Sequence, residues 1–201
     1  MILVDLNQVM ISNLMAQLHS SQSKEVDEDL LRHMVLNGIR SYRTKFFEKY
    51  GEIVICCDDT NNWRKEHYPY YKAHRKTNRD ESVLDWPNIF DCLNVIRDEL
   101  KEFFPYRHIR VHRAEADDII GSLHKKFSLP KIIVTKDKDL GQLIGPRDVL
   151  WDFANGSYSR VKDIKDKLGI WPKQIPDYLA LAGVQFEVGT VDTPFEHLTY
   201  T

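Results

Sequence analysis

The sequence has 201 residues, 42% of them hydrophobic and 11% aromatic, which is enough apolar material for one ordinary domain with a real core. Its formal net charge of −2 excludes a uniformly basic protein, so binding to nucleic acid would need local clusters of charge or metal ions. The longest apolar runs have the length of a strand and are too short for a membrane span. The amino terminus shows no secretory pattern. Three cysteines without metal-type spacing favour reduced, intracellular thiols.

Strand-like and helix-like patterns alternate along the chain. In chain order, the predicted elements are a strand at 2–5, a helix at 27–50, a strand at 52–57, a helix at 87–103, a strand at 108–112, a helix at 119–127, a strand at 131–135, a short helix at 138–144 and a strand at 149–151. This alternation predicts an α/β fold with a mainly parallel central sheet that is flanked by helices.

Acidic residues follow four of the predicted strands. They are Asp5 after the first, Asp58 and Asp59 after the second, Glu115, Asp117 and Asp118 after the third, and Asp137 and Asp139 after the fourth. Because the carboxyl ends of parallel strands share one edge, we expect these side chains to converge on one crevice. Carboxylates held so close repel unless cations neutralise them, and oxygen ligands suit Mg²⁺ or Mn²⁺. Two such ions could activate a water molecule and stabilise the leaving oxygen of a phosphodiester.

A second interpretation of the same acids is structural. Asp is favoured in turns and at helix amino termini, where it accepts hydrogen bonds from backbone N–H groups. Each acid taken alone is more often a cap than a ligand. The spacing by itself therefore leaves a metal site and a set of caps about equally supported.

The stretch 60–79 interleaves cations with aromatic residues. Its members are Trp63, Arg64, Lys65, Tyr68, Tyr70, Tyr71, Lys72, Arg75, Lys76 and Arg79. This composition suits a single strand or a frayed end, which needs phosphate neutralisation and faces for base stacking. If the stretch is helical, Lys72, Arg75 and the two later cations share one face. The alternative is a solvated basic face with its aromatic residues in the core. No Ser-His-Asp or Cys-His arrangement supports covalent catalysis.

Five short blocks in order resemble the 5′ nuclease superfamily, which includes flap endonucleases, the 5′-exonuclease domain of bacterial DNA polymerase I and phage ribonuclease H. The blocks are LVD at 3–5, CD at 57–58, YKAHR at 71–75, AEADD at 114–118 and VTKDKDL at 134–140, and they extend over about two-thirds of the chain. The run DYLALAG at 177–183 is similar to the start of the family's DNA-binding motif.

The resemblance implies a PIN-like sheet and a divalent-metal-dependent, structure-specific nuclease. Such an enzyme hydrolyses phosphodiesters at 5′ ends, flaps or RNA primers of branched DNA or RNA–DNA hybrids. It implies two Mg²⁺ or Mn²⁺ ions. The implied ligands are Asp5, Asp58, Glu115 and Asp117 for one ion, with Asp118 beside them, and Asp137 and Asp139 for the second ion or bridging both.

The resemblance also assigns the basic stretch. Lys72 and Arg75 would be catalytic residues on a helical gateway that clasps the 5′ strand near its scissile phosphate. The implied nucleic-acid-binding residues are Arg64, Tyr71, Lys76 and Arg79. A monomer in the cytoplasm of a bacterium or a phage-infected cell, working beside replication proteins and away from membranes, is the expected setting.

The predicted organisation is an α/β metal-binding nuclease domain at 1–159, including a gateway segment at 60–82, and a helical segment at 160–201. After Gly183 the chain departs from the family, because the glycine-rich helix–three-turn–helix that binds K⁺ is missing. We therefore expect that region to be incomplete and its K⁺ site to be absent. Truncation, an altered reading frame and a divergent terminus all remain open. Two other functions stay open as well: a nucleic-acid-binding remnant without catalysis, and a PIN-type ribonuclease.

Overall fold

A computed structural model describes residues 1–21 and 25–182. The strands are Ile2–Asp5 (β1), Ile53–Cys57 (β2), Arg107–Arg110 (β3), Ile132–Val134 (β4), Val149–Asp152 (β5) and Ser157–Ser159 (β6). The α-helices are Leu6–Ser21 (α1), Glu28–Tyr50 (α2), Arg64–His67 (α3), His74–Asp80 (α4), Trp86–Phe103 (α5), Ala116–Lys126 (α6), Val161–Leu168 (α7) and Ile175–Ala182 (α8). Short 3₁₀ helices occupy Lys138–Leu143 and Pro172–Gln174.

The six strands form one sheet in the order β3-β2-β1-β4-β5-β6. Strands β1 to β5 run parallel to one another, and β6 pairs antiparallel with β5. The predicted fold class, a mainly parallel sheet flanked by helices, is confirmed. The carboxyl ends of β1 to β5 consequently lie along a single edge of the sheet, where open α/β folds bind their ligands.

Alternate residues of the central strands enter two separate cores. Ile2 and Val4 face a cluster that α1, α2 and α5 complete, whereas Leu3 faces a second cluster on the other side. That second cluster contains Ile120 of α6 together with Ile164 and Ile175 from the carboxyl-terminal helices. Because both faces are covered, the strands read as continuous apolar runs rather than as alternating ones.

The long helix α2 has defined ends. Asp27 caps its amino terminus, with a carboxylate oxygen accepting a hydrogen bond from the backbone N–H of Leu30 at 3.0 Å. Gly51 follows its last residue with a φ of 78°, a left-handed value that a side chain disfavours, and its N–H bonds to the carbonyl of Phe47.

Two elements were not predicted. Helix α1 begins directly after β1 with no intervening loop or acidic first turn. The apolar Met15 is exposed and the polar Gln17 is buried, so the helical pattern of α1 is weak. Strand β6 is the short polar run Ser-Tyr-Ser at a sheet edge. No apolar pattern in this run indicates a strand. The strand predicted at 108–112 lies instead at Arg107–Arg110, so His112 lies beyond the end of β3.

Among the described helices, none is long and apolar enough to cross a membrane. The three cysteines are free and buried.

Replacing Asp27 with Ala should lower the free energy of unfolding by about 0.5–2 kcal/mol, because the first turn of α2 loses its cap. Urea unfolding followed by circular dichroism measures the change. Asp27→Asn is the matched control, since its side-chain oxygen can still accept the hydrogen bond from Leu30. Equal losses in both variants would show that the charge of Asp27, and not its cap, stabilises the helix.

Candidate active site

Four elements bring carboxylates to the carboxyl edge of the sheet. Asp5 is the last residue of β1, and Asp58 follows β2 directly. Asp117 lies in the first turn of α6, beyond β3, and Asp137 caps the 3₁₀ helix that follows β4. The strand ends therefore place these acids as the sequence predicts, since each strand stops at the same edge.

Asp5 is the most enclosed of these acids, at 4% exposure. Its two oxygens accept hydrogen bonds from the Thr135 hydroxyl at 3.0 Å and from the Gln8 backbone N–H at 3.2 Å. Burial, followed by repulsion from Asp117 and Asp58, raises the pKa of Asp5 to about 8. An acid so perturbed by burial and like charge is typical of a functional site.

Asp58 connects three elements. Its carboxylate accepts hydrogen bonds at 2.7 Å from the side-chain amide of Asn7 in α1 and at 2.7 Å from the backbone N–H of Ala116 in α6. Burial is the largest influence on its pKa, which is raised, and the charge of Glu115 adds to that effect. These contacts fix Asp58 beside the start of α6.

The neighbouring acids also repel one another. Burial, followed by the charge of Asp137, raises the pKa of Asp117 to about 6. The pKa of Asp139 is raised by burial and by Asp137. Asp137 itself accepts a hydrogen bond from the Asp139 backbone N–H at 2.8 Å, so it is a helix cap as well as a member of this group. One capped oxygen leaves the other oxygen of a carboxylate available.

The donor set fits a hard divalent ion. All the acids that repel one another here offer oxygen atoms, which Mg²⁺ and Mn²⁺ prefer, and burial together with this repulsion raises the pKa values of Asp5 and Asp117. Within residues 1–21 and 25–182, no three His, Cys, Asp or Glu side chains are already arranged as a metal site. One reason is that positively charged side chains engage some of the acids.

Glu115 is held by the gateway segment. The Lys72 ammonium lies 2.9 Å from one of its oxygens, and the Tyr71 hydroxyl donates to the other at 3.0 Å. Lys72 has a φ of 54°, in the left-handed region, and it precedes α4. The predicted common helical face of Lys72 with Arg75 is therefore wrong, because the helix begins only at His74 and a turn redirects Lys72 towards the carboxylates.

The other cations of the predicted site, Arg75 as a catalytic residue and Arg64, Lys76 and Arg79 as nucleic-acid-binding residues, fall into two groups. Arg75, Lys76 and Arg79 lie in α4, where the Arg79 guanidinium lies 5.5 Å from the ring centre of Phe90. Arg64 instead lies beside α6 and pairs with Asp118 through two hydrogen bonds of 2.8 Å. Burial has the largest single effect on the pKa of Asp118 and acts to raise it, but the hydrogen bonds from Arg64, the Glu115 N–H and Trp63, with the charge of Arg64, together lower the pKa.

Asp59, which the sequence reasoning left outside the metal site, has a different environment from Asp58. It pairs with Arg110 at 2.9 Å and accepts a hydrogen bond from the Arg113 backbone N–H at 2.7 Å. These contacts lower its pKa, the hydrogen bond from Arg113 having the largest effect. Asp59 thus joins the loop after β2 to the loop after β3.

Sequence reasoning missed two residues that orient the acids. Thr135 is fully buried and donates to Asp5, and Asn7 donates to Asp58. Thr135 opens the TKDKD run, so its position in that motif was a usable indication. Asn7 stands two residues after Asp5, inside the helix that was not predicted.

Comparison with known proteins supplies the family. Residues 1–169 match the family model described as the 5′-3′ exonuclease, N-terminal resolvase-like domain. The chain belongs to this 5′-3′ exonuclease family. It is 34% identical over 148 residues to ribonuclease H of Enterobacteria phage T4, covering 70% of this chain and 48% of that protein. It is 32% identical over 176 residues to flap endonuclease Xni of Shewanella pealeana, covering 85% of this chain and 64% of that protein.

Solved structures share the fold. A bacteriophage T5 D15 flap endonuclease, in a pseudo-enzyme–product complex with DNA and metal ions, superposes with a TM-score of 0.72 at 16% sequence identity. The superposition covers 92% of this chain and 66% of that one. This 5′-3′ exonuclease family chain therefore spans between about half and two-thirds of the lengths of these relatives.

Replacing Asp117 with Asn should raise the free energy of unfolding of the metal-free protein by about 1–3 kcal/mol at pH 8. Folding raises the pKa of Asp117 to about 6, so the charged carboxylate destabilises the folded state. This destabilisation grows as the pH rises from the pKa of the unfolded state to that of the folded state. It is therefore fully present at pH 8 and absent at a pH below both pKa values. Thermal or urea unfolding in EDTA, at pH 8 and at a pH below both pKa values, measures the change in stability.

Asp59→Asn is the matched control, and its expected effect has the opposite sign. Because contacts with Arg113 and Arg110 lower the pKa of Asp59, the folded state favours its charge and the substitution should destabilise. A loss of stability in both variants would mean that Asp117 is a structural acid like Asp59.

Proposed function

We propose that this protein is a divalent-metal-dependent, structure-specific 5′ nuclease that hydrolyses phosphodiesters at 5′ ends, flaps or RNA primers. The observation that carries the proposal is the group of mutually repelling acids at one sheet edge, with Lys72 of the gateway segment above it. Such a site combines negative charge for metal ions with a cation for the phosphate. Membership of the 5′-3′ exonuclease family supports it.

The acids that would hold the ions form two groups along the carboxyl edge of the sheet. Asp5, Asp58, Glu115 and Asp117 would hold one ion, and Asp137 and Asp139 would hold a second or bridge both. A bound divalent ion polarises a phosphate oxygen and lowers the pKa of its water. Thr135 and Asn7 keep Asp5 and Asp58 oriented through their hydrogen bonds, so the protein supplies a fixed set of oxygen donors.

The cations of the gateway segment would bind the substrate. Lys72 lies beside Glu115, and from there its ammonium could reach a phosphate at the crevice. Arg75, in the first turn of α4, could hold a phosphate with two parallel hydrogen bonds. Arg64, Tyr71, Lys76 and Arg79 would extend this surface along the strand by charge and stacking.

The proposed substrate is branched DNA or an RNA–DNA hybrid with a free 5′ end. The names of the relatives, a phage ribonuclease H and a flap endonuclease, and the DNA-bound T5 enzyme support this choice. We further propose a monomer that acts beside replication proteins in a bacterial or phage-infected cytoplasm. The predicted absence of a K⁺ site concerns residues after Gly183, which lie outside the described part of the chain.

The deciding experiment is cleavage of a labelled 5′ flap and an RNA–DNA hybrid with Mg²⁺ or Mn²⁺. We expect short 5′ products that EDTA suppresses, and loss of cleavage in Asp117→Asn and Asp137→Asn, which remove proposed ligands. Binding to the flap without turnover in either metal would favour the remnant without catalysis. A preference for unstructured single-stranded RNA would favour a PIN-type ribonuclease instead.

Lys72→Ala should reduce the single-turnover cleavage rate on the order of 10²–10³-fold, since it removes a cation from the phosphate where charge develops. Arg75→Lys should also be impaired, because an ammonium cannot reproduce the planar fork of a guanidinium. Lys162→Ala, at an exposed position of α7, is the charge-matched control. Parent-like rates in both gateway variants would show that the segment is only a solvated basic face.

A further inference from the structure

The last acid of the AEADD block accepts four hydrogen bonds from its own chain. One oxygen of Asp118 accepts from the Arg64 guanidinium at 2.8 Å. The other accepts from the second Arg64 nitrogen at 2.8 Å, from the Trp63 indole N–H at 3.2 Å and from the Glu115 backbone N–H at 3.0 Å. Each carboxylate oxygen offers about two acceptor sites, so the second oxygen is fully occupied and the first keeps one site. Both oxygens are bound to one guanidinium, which favours an ion pair over coordination of a metal ion.

The adjacent acid behaves differently. Asp117 is repelled by Asp137, Asp58 and Glu115, whereas Asp118 forms a two-pronged pair with a guanidinium. Successive residues of an α-helix point about 100° apart, so neighbours in the first turn of α6 can face different partners. Asp117 and Asp118 are adjacent residues of the same type, but they have different partners in the structure.

The partners of Asp118 lie at the start of the gateway segment. Trp63 and Arg64 open α3, and the Arg64 guanidinium also stacks on the Trp63 ring, 4.7 Å from its centre. The Trp63 backbone N–H donates to the Arg113 carbonyl at 3.0 Å, which ties the same point to the loop after β3. The segment is thus attached to the nuclease domain where it begins.

A second attachment, Lys72 and Tyr71 on Glu115, lies further along the segment. Glu115 is among the proposed metal ligands, so a metal ion would compete with Lys72 for it. The Asp118 attachment is made by Arg64 and Trp63. Arg64 also lies 3.3 Å from Glu115, but its two shorter contacts, both of 2.8 Å, are with Asp118. The Asp118 attachment can therefore persist when the metal site is filled and Lys72 turns to a phosphate.

We propose that Asp118 is a positioning residue and no metal ligand: it clamps the gateway segment to α6 through Arg64 and Trp63, so that Lys72 and Arg75 stay above the crevice. The consequence for substrate rests on the proposed nuclease function. The anchoring itself does not, because it concerns contacts within this chain alone.

Asp118→Asn is the first test, since Asn can still accept from the Glu115 N–H while losing the charge that Arg64 needs. Arg64→Ala is the second, and it removes the clamp from outside α6. Limited trypsin digestion in EDTA should cut within the gateway segment about fivefold faster or more in both variants. The acceleration in the double variant should fall well short of the product of the two single effects, because both substitutions break the same ion pair.

Metal affinity separates positioning from ligation. In calorimetric titrations with Mn²⁺, Asp118→Asn should remain within about twofold of the parent, whereas Asp117→Asn should lose on the order of 10–100-fold. Affinity for a 5′ flap in Ca²⁺, measured by fluorescence anisotropy, should fall in Asp118→Asn and at least as far in Arg64→Ala, which also removes a proposed phosphate contact. Asp118→Glu should recover part of the flap affinity by restoring the charge.

An Mn²⁺ affinity that drops in Asp118→Asn as far as in Asp117→Asn, with unchanged digestion of the gateway segment, would overturn the proposal. Digestion that accelerates in Asp118→Asn but not in Arg64→Ala would also overturn it, because the effect would then arise from the start of α6. If the parent neither binds nor cleaves the flap, the nuclease proposal fails, and the digestion and Mn²⁺ titrations still decide the role of Asp118.

Discussion

Repulsion between carboxylates that the fold itself brings together is the constraint on which the rest of the site depends. The parallel sheet stops its strands at one edge, and the chain places an acid at each stop. Burial at that edge makes the repulsion expensive, as the raised pKa of Asp5 shows. Thr135 and Asn7 hold individual oxygens in place, but hydrogen bonds do not remove the net charge. Protonation removes it, as the raised pKa of Asp5 indicates, and a cation, whether a metal ion or a side chain of the same protein, offsets it while the acids stay ionised.

The gateway segment supplies such side chains, and this links its position to the chemistry at the edge. Lys72 adopts a left-handed backbone conformation and reaches Glu115, while Arg64 pairs with Asp118. Left-handed φ values in non-glycine residues carry strain that the surroundings must compensate, and here an ion pair with a nearly buried acid does so. In the proposed nuclease, the same cation would be in place for a phosphate once a metal ion bound Glu115.

The sequence predicted what depends on local pattern and strand order. Strand ends marked by Asp5, Asp58 and Asp137 were predictable because apolar runs stop there and parallel strands share an edge. The turn at Lys72 was not, since nothing in the YKAHR block indicates that one residue leaves the helical region. The pairing of Arg64 with Asp118 spans 54 positions and depends on how α3 docks on α6, so no spacing rule could supply it. Helix α1 and strand β6 lacked clear periodicity.

Strand geometry also supports the proposed preference for a hard ion. Cys56 and Cys57 immediately precede Asp58, and their thiolates would favour a softer metal if they reached the crevice. Side chains alternate along a strand, so Cys57 enters one core and Cys56 the other. Burial raises the pKa of both thiols, that of Cys57 to about 12, which leaves no thiolate at neutral pH. The crevice is lined instead by Asp5, the last residue of β1, and by acids beyond the ends of the other strands, all of which offer oxygen.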